Sequence, residues 1–184
     1  MVKSTPEDFL ILYADAVELA HSGYVPSYHI LGGLYESGCM PEGKRLDLAY
    51  QWYGKGASEG GDDACYFALG RFFFYGIHVE KDVQRAIELF EVAARHGSAE
   101  ANIALGYCCL HGYGMPRNIA RARKRLRMAQ LEGYVIATAL LSKVELRDRN
   151  FLRSLALYCK SILNGWRLAR YEPDSPKLFW LNLR

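Results

Sequence analysis

Five histidines and five cysteines are the side chains of this 184-residue chain with the widest chemical reach. The histidines, at 21, 29, 78, 96 and 111, fall in five different predicted elements, and none belongs to an H-E-x-x-H pair that would aim two rings from one helical face. Cys108, Cys109 and His111 are close in sequence, but adjacent residues of a helix point about 100° apart, so the three do not converge on one metal. No cysteine has a neighbouring base to activate it as a nucleophile. No G-x-x-x-x-G-K-[ST] loop or G-x-S-x-G elbow occurs, and Gly112-Tyr113-Gly114 reads as a turn rather than a phosphate cradle. The sequence thus predicts no catalytic residues, no metal and no cofactor.

Charge is the stronger signal. Arg117, Arg121, Arg123, Lys124, Arg125 and Arg127 fall within eleven residues that contain no acid. From Met115 to Arg184 there are fifteen Lys/Arg against five Asp/Glu, 15 − 5 = +10, and from Met1 to Gly114 eight against fifteen, 8 − 15 = −7. The total of +3 hides a dipolar molecule. The basic run is either a solvated outer helix or, through Arg121, Lys124 and Arg125, a docking surface for an acidic protein, nucleic acid or anionic lipid. Nucleic acid is disfavoured, because no stacking aromatics are interleaved with the arginines. The cysteine count is odd and includes no C-x-x-C, which points to reduced thiols, with Cys65 and Cys159 expected to be buried.

Glycine punctuation supplies the elements. Leu31-Gly32, Leu69-Gly70 and Leu105-Gly106 follow Gly23, Gly61 and Gly97 at a fixed interval, and each is followed six residues later by Gly38, Gly76 or Gly112. The leading glycines recur at 61 − 23 = 38, 97 − 61 = 36 and 133 − 97 = 36 residues, the period of stacked supersecondary units. In the second unit Cys65, Leu69, Phe72 and Phe73 give a first helix one buried stripe. Ala68 and Gly70 lack bulk, so a second helix can approach closely. Gly76 ends the first helix in the left-handed conformation that glycine tolerates. Asp82 stands where an N-cap is wanted, before Ala86, Leu89, Phe90, Ala93 and Ala94. The third unit repeats this with Asn118 as cap and Ala122, Leu126 and Ala129 facing inward.

These residues carry a resemblance. The pattern L-G-x-x-[YF]-x-x-G, present as Leu31 to Gly38 and Leu69 to Gly76 and with Cys109 at the aromatic position in Leu105 to Gly112, is similar to that of Sel-one-like repeats, relatives of the tetratricopeptide repeat. The resemblance implies an all-α fold, an α-solenoid of antiparallel helix hairpins. It departs from the pattern at Cys39 to Arg45, an expanded turn, at His78, which replaces a turn glycine and would be mildly strained at positive φ, and from Gly133 onward, where Leu141-Ser142 replaces Leu-Gly. Secreted relatives bridge two cysteines eight residues apart; Cys65 matches the second, but Ala57 occupies the partner position.

One repeat domain over 1–184 is expected, with a capping helix at 1–22, repeats at 23–60, 61–96 and 97–132, a degenerate capping repeat at 133–170 and a tail at 171–184. Ser4, Pro6 and Glu7 form a helix start. Helix pairs are expected at about 26–37 with 46–59, 62–75 with 83–96, 99–111 with 118–132, and 136–146 with 151–164. Trp52 and Tyr53 are expected to fill the gap between hairpins. The tail from Lys177 to Arg184, with Phe179 and Trp180, reads as a short lid over the last hairpin. The run Phe9–Ala14 is too short to span a bilayer and lacks a basic leader, so a cytoplasmic placement is expected; a leader already removed would leave the same sequence.

The resemblance places the first helices on a concave side. There His29, Gly33, Glu36 and Ser37, then Phe67, Arg71, Phe74 and Tyr75, then Ile103, Tyr107, Leu110 and His111 are expected opposite the buried stripe. Aromatics and an arginine on such a face resemble binding hot spots, the alternative, above all for Phe67 and Ile103, being packing between neighbouring helices. The expected function is a non-enzymatic interaction module, an adaptor or scaffold for a partner protein segment. A sharper version is an immunity protein that silences a bacterial toxin or effector, as some bacterial members resemble. The rival expectation is an enzyme or cell-wall-ligand binder of the cysteine-rich repeat type, against which the missing cysteine partners and absent nucleophile–base pair argue.

Overall fold

A computed structural model describes residues 6–147 and 150–171. Among them are nine helices and no strand: α1 (Pro6–His21), α2 (Pro26–Ser37), α3 (Leu46–Gly60), α4 (Asp63–Tyr75), α5 (Val83–Arg95), α6 (Ala99–His111), α7 (Ile119–Leu131), α8 (Val135–Arg147) and α9 (Phe151–Tyr171). The expected N-cap at Ser4, and the tail carrying Phe179 and Trp180, lie outside the described residues. The chain divides into two compact units, 1–97 and 98–184.

Each helix starts and stops where the local chemistry dictates. Asp82 accepts a hydrogen bond from the Arg85 N–H at 2.9 Å, and Asn118 one from the Arg121 N–H at 2.9 Å, so both predicted caps satisfy a first-turn donor. Asp62 and Ser98 cap α4 and α6 in the same way. Gly38, Gly76 and Gly112 close α2, α4 and α6 with φ of 76°, 72° and 79°. His78 adopts φ 62°, the one positive-φ residue besides glycine among the described residues. Its ring lies 6.0 Å from that of Tyr50.

One hydrogen bond of the same kind closes each of the first three hairpins. The residue before the second helix donates its N–H to a first-helix carbonyl: Asp82 to Phe73 and Asn118 to Cys109, each 82 − 73 = 118 − 109 = 9 residues back. In the first hairpin the same bond runs from Arg45 to Tyr35, 45 − 35 = 10 residues. The expanded turn is therefore a single-residue insertion. It is absorbed at Gly43, with φ 74°, while Met40 turns into the core.

In the first unit α1 packs on α2, α2 on α3, α3 on α4 and α4 on α5, around Leu31, Tyr53, Cys65, Leu69 and Phe72. The motif glycines permit this. A Cβ on Gly32 would run into the Tyr53 ring, and one on Gly70 would lie 2.5 Å from Phe90. Tyr53 is buried as expected, and Trp52 is half-buried, stacked on Tyr28 with ring centroids 6.3 Å apart. In the second unit α6, α7, α8 and α9 pack in sequence around Ile103, Leu110, Leu126, Ile136 and Leu141. There Gly106 is covered by Leu126, which a Cβ would meet at 2.7 Å. All five cysteines are free thiols. Cys65 is buried as expected, but Cys159 is exposed, because α9 turns a different face inward.

Candidate interaction surfaces

The first-unit face is built by α2 and α4. Glu36 on α2 is the hub: its Oε2 accepts the Tyr53 hydroxyl at 2.8 Å, and its Oε1 is ion-paired with the Arg71 guanidinium from α4. One carboxylate thus ties α2, α3 and α4 together. Burial, reinforced by the Glu36 charge, pushes the Tyr53 hydroxyl well above its ordinary range, so it remains a donor. Arg71 keeps one donor in reserve, since its buried Nε has no hydrogen-bond partner.

Around this hub lie rings. Phe67 and Phe74 are half-buried, with centroids 5.7 and 6.2 Å from Phe90, and Phe74 meets Tyr75 edge-on at 5.1 Å. Phe67, Arg71, Phe74 and Tyr75 follow i, i+4, i+7, i+8 and therefore share one side of α4. His29 is exposed on α2, with its ring 5.8 Å from Tyr53. Anchoring each ring by one edge lowers the entropy lost when a ligand covers the other.

The second-unit face differs from the expectation. Ile103 and Leu110 are 1% and 0% exposed and belong to the core. α8 packs on α6 as well as on α7, so it covers the side of α6 that a two-helix repeat would leave open. Neither residue offers surface to a partner. Tyr107 and His111 do, and they are joined by Tyr113 from the following turn. The Tyr107 ring lies 4.3 Å from His111 and 5.8 Å from Tyr113, a three-ring cluster. Burial, followed by the charges of Arg147, Lys143 and Arg117, holds the His111 pKa below its ordinary value. The ring is thereby kept neutral beside cations.

The basic helix α7 divides its charges. Arg123 Nε donates to the Glu145 carboxylate at 3.1 Å, and Arg125 donates to Asn102 at 3.1 Å, so both reach inward. Glu145 is 2% exposed and lies 3.8 Å from Arg153 as well. Arg121, Lys124 and Arg127 are exposed. Of the three docking cations expected from the sequence, Arg121 and Lys124 stand at the surface and Arg125 is half-buried. Cys108 and Cys109 are buried while His111 is exposed, and no group of three or more His, Cys, Asp or Glu that could hold a metal occurs among the described residues. Burial pushes the Cys108 thiol up to about 12, opposite to what a nucleophile needs.

Sequence reasoning missed Tyr113, Glu145 and the outward face of α9. Tyr113 was legible only as a turn residue, and the Glu145–Arg123 pair spans 145 − 123 = 22 residues with no local signal. The α9 face was readable as an apolar spacing, but which way it points was not.

A family model described as the Sel1 repeat matches residues 26–61, 63–98 and 99–129. Similar curated proteins include the chitin synthase regulator SKT5 of Malassezia restricta, 34% identical over 61% of this chain and 8% of that protein. Another is the ERAD-associated E3 ubiquitin-protein ligase component HRD3B of Arabidopsis thaliana, 32% identical over 50% of this chain and 15% of that protein. The chain thus spans under a sixth of the length of either. A crystal structure of a Sel1 repeat protein from Oxalobacter formigenes superposes with a TM-score of 0.70 at 22% identity, covering 84% of this chain and 68% of that one. The structure of c5321, a protective antigen of uropathogenic Escherichia coli strains with an SLR fold, superposes at 0.69 with 26% identity, over 84% of this chain and 35% of that one. The fold class is that of these neighbours, an all-α solenoid of antiparallel helix hairpins.

Proposed function

The chain belongs to the Sel1 repeat family, and from that premise we propose that it is a non-catalytic adaptor that holds a segment of a partner protein against the first-helix faces of its repeats. The observation that carries this reading is the α4 side, where Phe67, Phe74 and Tyr75 surround Arg71, whose Nε has no partner. Aromatics and arginine are the residue types in which binding energy concentrates. The second unit offers its own ring cluster, Tyr107, His111 and Tyr113, beside exposed cations. An acidic partner fits that side.

The sharper form of this reading makes the partner a toxin or effector and the chain its immunity protein. What supports it is the dipolar charge of the chain, −7 over 1–114 against +10 over 115–184. A photoreactive phenylalanine at position 75 or 107, set against one at exposed Arg95 on α5, tests the shared claim in the native cell. A discrete partner adduct at 75 and 107 but not at 95 is the expected outcome. Equal labelling at all three sites removes the first-helix faces from the account. A partner encoded beside this gene and toxic without it would support the immunity form.

A further inference from the structure

Helix α9 leaves most of its apolar residues exposed. A helix on a globular domain turns its apolar stripe to the core, yet the buried residues of α9 are Ser154 and Ser161, at 9% and 5% exposure. Ser154 Oγ donates to the Ser142 carbonyl of α8 at 2.8 Å, and Ser161 Oγ to the Tyr158 carbonyl of its own helix at 2.8 Å. Leu157 packs in part against the core, but most apolar residues of α9 stay exposed: Phe151, Leu155, Tyr158 and Ile162 line a cleft against α8, and Leu152, Leu163 and Trp166 lie outside it. Phe151, Leu155, Tyr158, Ile162 and Trp166 recur at intervals of 4, 3, 4 and 4 residues and are all exposed. Leu152, Leu163 and Trp166 protrude most, at 79%, 69% and 77%.

The charge on this helix has one sign. Arg153, Lys160, Arg167 and Arg170 are its ionisable groups besides tyrosine and cysteine, and no Asp or Glu occurs from 150 to 171. Arg153, Lys160 and Arg167 are spaced by seven, which sets them in one row along the helix, next to the line of Leu152 and Leu163. All three are exposed. The unit that carries them, 98–184, has fifteen Lys/Arg and six Asp/Glu, 15 − 6 = +9.

We propose that α9 is a membrane-surface helix, lying on an anionic lipid bilayer with Leu152, Leu163 and Trp166 in the boundary between headgroups and acyl chains and its cation row on the headgroups. A basic amphipathic helix with Trp, Phe and Leu on the apolar side binds in this way, by apolar burial added to electrostatic attraction. No helix among the described residues is long and apolar enough to cross a membrane, so the contact is interfacial. An acidic helix of another protein is the competing occupant, seated in the cleft of about 570 Å³ between α8 and α9. The bilayer fits better, because Leu152, Leu163 and Trp166 do not line that cleft and are the most exposed apolar residues of the helix. The inference is independent of the first-helix faces.

The test is co-sedimentation of the full chain with equimolar phosphatidylcholine–phosphatidylserine vesicles and with pure phosphatidylcholine, across a salt series. Binding to the anionic vesicles that weakens with salt, and at least about tenfold weaker binding to the neutral ones, is expected. The triple variant Leu152→Gln, Leu163→Gln, Trp166→Gln should lose at least about tenfold in partitioning while its melting is unchanged, because these side chains are exposed. Lys160→Gln with Arg167→Gln should abolish the preference for anionic vesicles. Failure of the full chain to bind anionic vesicles at low salt overturns the proposal. So does full binding by the apolar triple variant, which would assign the contact to α7. A dimer in sedimentation that the triple variant dissolves, without vesicle binding, would show that a second copy covers the face.

Discussion

The two units solve the same packing problem with different chemistry. In the first, rings close the motif glycines: Tyr53 covers Gly32 and Phe90 covers Gly70, and a Glu36-centred network ties the helices. In the second, an aliphatic side chain, Leu126, covers Gly106, the core is alanine, leucine, isoleucine and thiol, and the buried ion pair moves to Glu145 and Arg123. Charge follows the same division, with eight Lys/Arg and fourteen Asp/Glu in 1–97, 8 − 14 = −6, against +9 in 98–184. The repeat thus demands a small residue on one helix and bulk on the next. What kind of bulk is free to vary, and surface chemistry varies with it.

If rigid rings and an adaptable leucine cover the glycines, adding one methyl at each should separate the units. Gly70→Ala should destabilise by about 2–3 kcal/mol in spite of the gain in helix propensity of about 1 kcal/mol, since Phe90 has no room to move. Gly106→Ala should cost about 1 kcal/mol or less, because Leu126 can change rotamer. Urea denaturation of the two variants decides; equal losses would dissolve the distinction.

The ionic hubs offer a second contrast. Glu145→Gln should cost about 1–3 kcal/mol, because Arg123 loses its charged partner inside the core. Glu36→Gln should cost less, about 1 kcal/mol, since both Glu36 and Arg71 retain some exposure to water. A Glu36→Gln loss larger than that of Glu145→Gln would reverse the ranking.

The smallest expected effect concerns His111. Its folded-state pKa lies below the ordinary 6.5, so folding favours the neutral ring. That contribution is present above the unfolded value and is lost as pH falls through the folded one. Proton NMR should find a His111 midpoint under 6.5 that rises in Tyr107→Ala, which uncovers the ring; a midpoint at or above 6.5 in the native chain would contradict the burial argument.

Much of this was legible in sequence because glycines and caps act locally. Gly38, Gly76 and Gly112 fix helix ends by backbone conformation alone, and Asp82 and Asn118 by hydrogen bonds within one turn, so α2 to α8 stand within one or two residues of expectation, while α9, with no such stop, runs to Tyr171 rather than about 164. The site was less legible because exposure is a tertiary property. Ile103 and Leu110 sit on the side of α6 that a repeat period leaves open, and only the packing of α8 on α6 buries them. Cys159 was expected inside from the odd cysteine count and the missing bridge partner, which say nothing of the side of the helix it occupies; Ser154 and Ser161 lie inside instead. Phe73 illustrates the same limit, since it is half-buried while Phe72 fills the core.

The account's central claim is that core and partner surface use different residues of the same helices. Paired melting and partner-binding measurements on Phe72→Ala, Phe74→Ala and Tyr107→Ala test it most directly. Phe72→Ala should cost about 3–5 kcal/mol of stability, as fully buried aromatics do. Phe74→Ala and Tyr107→Ala should cost about 1–2 kcal/mol of stability, as half-buried rings do, yet weaken partner capture at least about tenfold. If Phe74→Ala unfolds the chain as badly as Phe72→Ala, or leaves capture intact, the first-helix face is not the partner's site.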